Sequence, residues 1–136
     1  KKCVAAGYPV RAVIMPVIPV EGWEELYRRF VRNLVLEIPL ERLTIGGICI
    51  YKNARRLMEN KIGAQNCISN DIDMATESDD GRARYHSETR HKMYHLIAET
   101  AQKASPKTSV DLCLEEEDVW EKLGLTKNLG RCNCVL

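Results

Sequence analysis

Apolar positions along the chain fall into short dense runs separated by longer helical stripes. Val13-Ile14-Met15-Pro16-Val17-Ile18 is nearly continuous, too dense for a half-exposed strand. It predicts a parallel strand over residues 10–20, covered on both faces. Trp23, Leu26, Tyr27, Phe30, Val31 and Leu34 recur at helical spacing and predict a helix over roughly 22–36 with one apolar stripe. Ile38-Pro39-Leu40 closes it, because proline disfavours helix at the residue before it. Leu43 to Tyr51 reads as a second strand, and its Gly46-Gly47 pair marks a bulge or a close approach to the backbone. Asn53 suits the N-cap of a helix over Ala54 to Asn60, with Gly63 after its end. Residues 64–82 are polar and turn-rich and predict a long loop.

From Ser87 to Ala104 a helix is expected, with Met93, Leu96, Ile97, Thr100, Ala101 and Ala104 on one face, ended by Pro106. Val110 to Leu114 is a third short strand. Glu115 to Asp118 then gathers negative charge at the start of a short helix through Trp120 and Leu123, stopped by Gly124. This alternation implies an α/β fold with parallel strands and covering helices. Two or three strands are few for an independent sheet, so further strands are expected N-terminal to Lys1.

Composition narrows the picture modestly. A chain of 136 residues with 45% apolar and 29% charged residues is an ordinary globular domain with a core of its own. A net charge of +1 leaves room for a local basic patch. No apolar run reaches the ~18 residues of a membrane helix, and the start has no signal-peptide pattern. The six cysteines are widely spaced. Cys49 and Cys113 lie within apolar runs, so reduced, cytoplasmic thiols are expected.

Ala5 to Tyr27, AAGYPVRAVIMPVIPVEGWEELY, combines A-G-Y-P, a hydrophobic strand with internal proline, and E-G-W-E-E with an aromatic. This stretch resembles the spore photoproduct lyase family, radical S-adenosylmethionine enzymes that repair a thymine dimer in DNA. The resemblance is traceable to about Glu99. It implies the C-terminal part of that family's partial (β/α) radical-SAM-type barrel. Residues 1–63 would form late βα units, 64–82 a polar loop, and 83–136 a substrate-facing region with a short strand and a cysteine-containing tail. It further implies that Met15, Pro16 and Val17 lie by the cofactor's adenine, at the strand carboxyl end where ligands favour binding. Arg84-Tyr85 matches the family's arginine–tyrosine pair that inserts at the lesion. Unlike the family's glycine-rich hairpin, Ser87 to His95 has no glycine and reads as helix.

The family's cluster needs C-x-x-x-C-x-x-C, which this chain lacks. S-adenosylmethionine and a [4Fe–4S] cluster therefore belong to the parent protein, with neither expected on this chain alone and no catalytic residue assigned. The missing N-terminal barrel half is the expected partner, DNA another, and an isolated fragment should form a homo-oligomer. The alternative is a non-enzymatic nucleic-acid-binding or protein-interaction domain built on Arg82–His95, RARYHSETRHKMYH, where cations and aromatics interleave; a solvated helix face reads equally well. His91 and His95, with Glu88 a turn earlier, have zinc-compatible spacing, but without a motif glutamate between them no metal site is assigned. Cys132-x-Cys134 is a poor chelate spacing.

Overall fold

The structure, a computed structural model, describes residues 1–73 and 80–125. Five α-helices are present among these: α1 Lys2–Ala5, α2 Trp23–Glu37, α3 Lys52–Ile62, α4 Ser87–Ala104 and α5 Glu117–Lys122. The strands are β1 Val10–Val17, β2 Leu40–Gly47, β3 Cys49–Ile50, β4 Ile72–Asp73, β5 Ala83–Tyr85 and β6 Ser109–Leu112. Three strands form a parallel sheet in the order β1-β2-β6. The other three form a small antiparallel sheet, β3-β5-β4, that belongs to an excursion between β2 and α4.

The α/β expectation with parallel strands holds. Helix α2 follows β1 and α4 precedes β6, as parallel neighbours require a crossover. The two helices pack on each other, and α4 also meets β2 and β6. Alternation along the strands puts Ile14, Leu43, Ile45, Val110 and Leu112 on the helix-bearing face, where all are buried. They join Trp23, Val31 and Val35 of α2 with Met93, Ile97 and Ala101 of α4 in one core. Arg11, Val13, Met15, Arg42, Thr44, Ser109 and Asp111 alternate to the opposite face. An Arg42 Nε–Asp111 Oδ2 ion pair of 2.9 Å spans β2 and β6 there.

Five expectations need correction. β1 is not covered on both faces: Val13 is 49% and Met15 38% exposed, because β1 is a sheet edge and no helix of the described residues lies over them. The strand ends at Val17, with a register irregularity between Ile14 and Val17 around Pro16, which has no N–H to pair. In α2, Leu26 and Phe30 are 46% and 49% exposed; the core stripe runs through Trp23, Tyr27, Val31 and Val35 instead. The apolar run from Leu43 to Tyr51 is not one strand. β2 starts at Leu40 and stops at Gly47, and Cys49–Ile50 joins the other sheet. Asn53 is not a cap: α3 begins two residues earlier than expected, at Lys52, with Tyr51 at the N-cap. Helix α4 has the expected bounds, and Gly63 and Gly124 end their helices at positive φ, where glycine has no Cβ to strain.

Candidate functional site

The carboxyl end of the parallel sheet gathers the chain's special backbone and most of its buried charge. Met15–Pro16 is a cis peptide. Met15 lies across Gly46: a Cβ built there would meet the Met15 sulfur at 3.1 Å and the Cys113 carbonyl at 3.2 Å. A Cβ on Gly47 would sit 2.6 Å from the Tyr94 hydroxyl, closer than real Cβ contacts come. The Gly46-Gly47 pair is thus a close approach to β2 from both directions. Met15 and Pro16 are exposed at this end, whereas Val17 is buried.

Tyr94 begins a buried chain of polar contacts. Its hydroxyl accepts the Gly47 N–H and donates to Glu115 Oε1 at 2.5 Å. The other Glu115 oxygen accepts from Arg90 Nη1 at 2.5 Å. Arg90 also donates to Glu116 at 2.8 Å and, through Nε, to the Tyr85 carbonyl at 2.9 Å. Arg84 runs beside this chain, giving Nε and Nη2 to the Leu114 carbonyl and Nη2 to Asp80 at 2.6 Å. Leu114 takes a positive φ of 56°, a conformation costly for leucine, and the two Arg84 donors hold it. That turn leaves the Leu114 side chain exposed and the next residue, Glu115, buried.

Burial pushes the Glu115 carboxyl above the usual range, with Arg90 pulling the other way. Burial, then the Glu115 charge, pushes the Tyr94 phenol well up. The Asp80 carboxyl is held low, first by the Arg84 hydrogen bond. Every cation in this cluster meets an anion, so its chemistry is positional: it locks β2, β5, α4 and the turn after β6 together.

The structure keeps the candidate residues near one another but in different settings. Arg84 and Tyr85 are buried in β5. The Arg84 guanidinium is engaged with Asp80 and Leu114, and the Tyr85 hydroxyl is buried with no hydrogen-bond partner among the described residues. The Arg82–His95 window is not a solvated face throughout: Arg84, Tyr85, Arg90 and Tyr94 are inside, because β5 and the inner side of α4 bury alternate parts of it. His91 and His95 stack with centroids 5.9 Å apart. No group of three or more metal-ligating side chains occurs among the described residues, and Cys132-x-Cys134 lies outside them. Sequence reading missed Glu115, set in a run of four acids that looks like a solvated helix start. It missed Arg90 and Tyr94 as a pair because a buried arginine partner gives no local signal.

No family profile and no curated protein matches this sequence. Among solved structures, spore photoproduct lyase, in a cysteine-to-alanine variant, is similar with a TM-score of 0.58 at 18% identity. The match covers 80% of this chain and 34% of that one. This chain therefore spans about a third of that solved chain, and the likeness is one of fold.

Proposed function

We propose that this chain acts as the late part of a partial barrel of the radical S-adenosylmethionine type, in a protein resembling spore photoproduct lyase. The observation that carries the reading is a three-stranded parallel sheet with helices on one face, in a chain whose fold is similar to part of that enzyme. Helices cover one face, the opposite face bears the exposed Val13 and Met15, and β1 has one neighbour among the described residues. A barrel wall has this construction, with helices outside and the other face turned to the interior. The rest of the barrel would pair along β1.

An iron–sulfur cluster does not fit this chain: Cys3, Cys49, Cys67 and Cys113 are separate free thiols, and no C-x-x-x-C-x-x-C exists in the sequence. The three thiolates would come from the barrel's other part. S-adenosylmethionine fits only in part. When bound to such a cluster it supplies reductive cleavage chemistry. Here Met15 and Pro16 would cover it from the carboxyl end, with Met15 seated against Gly46. Val17 would contribute through its backbone, since its side chain is in the core. A role for Arg84 and Tyr85 at a DNA substrate requires β5 to turn outward, releasing Arg84 from Asp80 and Leu114. No helix of the described residues is long and apolar enough to cross a membrane.

The test starts from the gene. The coding sequence upstream of Lys1 should hold C-x-x-x-C-x-x-C in frame. The full polypeptide, reconstituted anaerobically, should bind a [4Fe–4S] cluster and form 5′-deoxyadenosine from S-adenosylmethionine, while residues 1–136 alone should bind no cluster. An in-frame polypeptide with no such motif, or a cluster assembled on residues 1–136, would overturn the reading.

A further inference from the structure

Helix α4 is phased by what it buries. Arg90 and Tyr94, one turn apart, are both held inside by Glu115. The residue after each stands about 100° further round the helix. His91 and His95 are those residues, and they emerge together on one flank, His91 half-buried and His95 exposed. Residues four apart on a helix stand side by side. The two imidazoles meet there with centroids 5.9 Å apart and planes tilted by 32°. Neither makes a hydrogen bond or an ion pair with another described residue.

Imidazole nitrogen is a ligand for copper, nickel and zinc, whereas magnesium and calcium take oxygen. An ion bound about 2.1 Å from one nitrogen of each ring, at a tetrahedral angle, brings the ring centroids to about 5 Å. Small rotations of the two side chains close the remaining gap, and histidine χ2 is soft. The backbone needs no ordering on binding, because Met93, Tyr94 and Ile97 anchor the other side of α4 in the core. The surroundings favour a cation. Lys92, Lys103 and Lys122 are each already paired, with Glu24, Glu99 and Asp118. Glu88, one turn before His91, has no ion-pair partner among the described residues and lines a cleft of about 370 Å³ with His91. A carboxylate so placed can accept a hydrogen bond from ion-bound water or from an imidazole N–H.

We propose that His91 and His95 form a surface site for one divalent transition-metal ion of the nickel, copper and zinc group. The two imidazoles are the protein's donors, and water or a donor from outside fills the remaining positions. With two protein donors the site is open and exchangeable, unlike a closed structural site of four. The lack of a glutamate between the histidines removes the metalloprotease motif but not the chelate itself. This site goes beyond the barrel reading and rests on no part of it, since no thiolate takes part.

The test titrates Ni(II), and Mg(II) in a separate series, into the isotope-labelled 136-residue chain and follows its amide and imidazole NMR signals. The parent carries Cys132→Ser and Cys134→Ser, which removes the two closely spaced thiols. Paramagnetic Ni(II) should broaden the signals of His91, His95 and their neighbours on α4 first and saturate at one ion per chain, while Mg(II) leaves them unchanged. His91→Ala and His95→Ala should each weaken Ni(II) binding at least about tenfold, because the second imidazole binds at the effective concentration that the helix imposes. His86→Ala should bind as the parent does. Ni(II) should also raise the melting temperature of the parent, and of neither variant, since an ion that binds the folded chain stabilises it. Alanine favours helix, so the variants keep the fold, which circular dichroism without metal verifies. The proposal falls if no signal responds to Ni(II), or if a single-histidine variant binds as tightly as the parent. It falls equally if the broadening centres on Cys3, Cys49 or Cys67, or if Mg(II) acts alike. The readout needs no cluster, so its failure leaves the barrel reading standing, and the reverse holds.

Discussion

Gly47 and Tyr94 are the most demanding contact in the molecule, since the hydroxyl occupies the space of a β-carbon. Gly47→Ala should cost about 1–3 kcal/mol by overpacking. Tyr94→Phe should cost a comparable amount by leaving Glu115 and the Gly47 N–H short of a partner. Urea unfolding of the double variant should show a loss well below the sum of the two, because each change relieves the other; strict additivity would mean the two groups do not touch. Arg90→Met should cost about 3–5 kcal/mol, since it strands the Glu115 charge in a buried setting. Acid acts at a second point. The Asp80 carboxyl is depressed by Arg84, so its contribution is fully present above the ordinary aspartate value of about 3.9 and is lost as pH falls through its lowered value. Asp80→Asn should therefore flatten the acid side of the stability–pH curve below about pH 4. An unaltered acid limb would show that the Asp80–Arg84 pair does not form in solution.

At the scale of elements, α2 sorts its apolar residues into two kinds. Trp23 is in the core and Lys92 Nζ lies 5.5 Å from its ring centroid, so Trp23→Ala should cost about 3–5 kcal/mol. Phe30→Ala, at an exposed position of the same helix, should cost less than about 1 kcal/mol. Thermal melts of both variants check the assignment, and equal losses would place both rings in the core. The sequence was readable where period and punctuation agree. Helix α4 runs between a strand and Pro106, and Gly63 and Gly124 end helices where positive φ is needed. It was not readable where the outcome depends on a distant neighbour. Phe30 and Leu26 have the period of a core stripe, but the side of α2 they occupy is exposed among the described residues. Gly46-Gly47 announced a close approach without naming Met15 or Tyr94 as what approaches. The split of Leu43 to Tyr51 into two sheets rests on pairing with Ala83 and Arg84, more than thirty residues away. Among the site residues, burial of Arg84 likewise follows from distant partners, Asp80 and the Leu114 turn.

At the scale of the whole molecule, the described residues form three parallel strands with helices on one face. Purely parallel sheets occur almost only with both faces covered, and an unpaired strand edge is a template for association. Val13 and Met15 stand exposed on the face of β1 opposite the helices. On the proposed barrel reading, the chain by itself should cover β1 with another copy of itself. Val13→Lys, which places a charge on that face, should reverse the effect while leaving the core intact. Light scattering of residues 1–136 across a concentration series is the most direct measurement. The account predicts a mass above the 15.5 kDa of one chain that rises with concentration and returns to one chain in Val13→Lys. A stable 15.5 kDa monomer at every concentration would contradict it, and would make this sheet a self-sufficient domain rather than a section of a barrel wall.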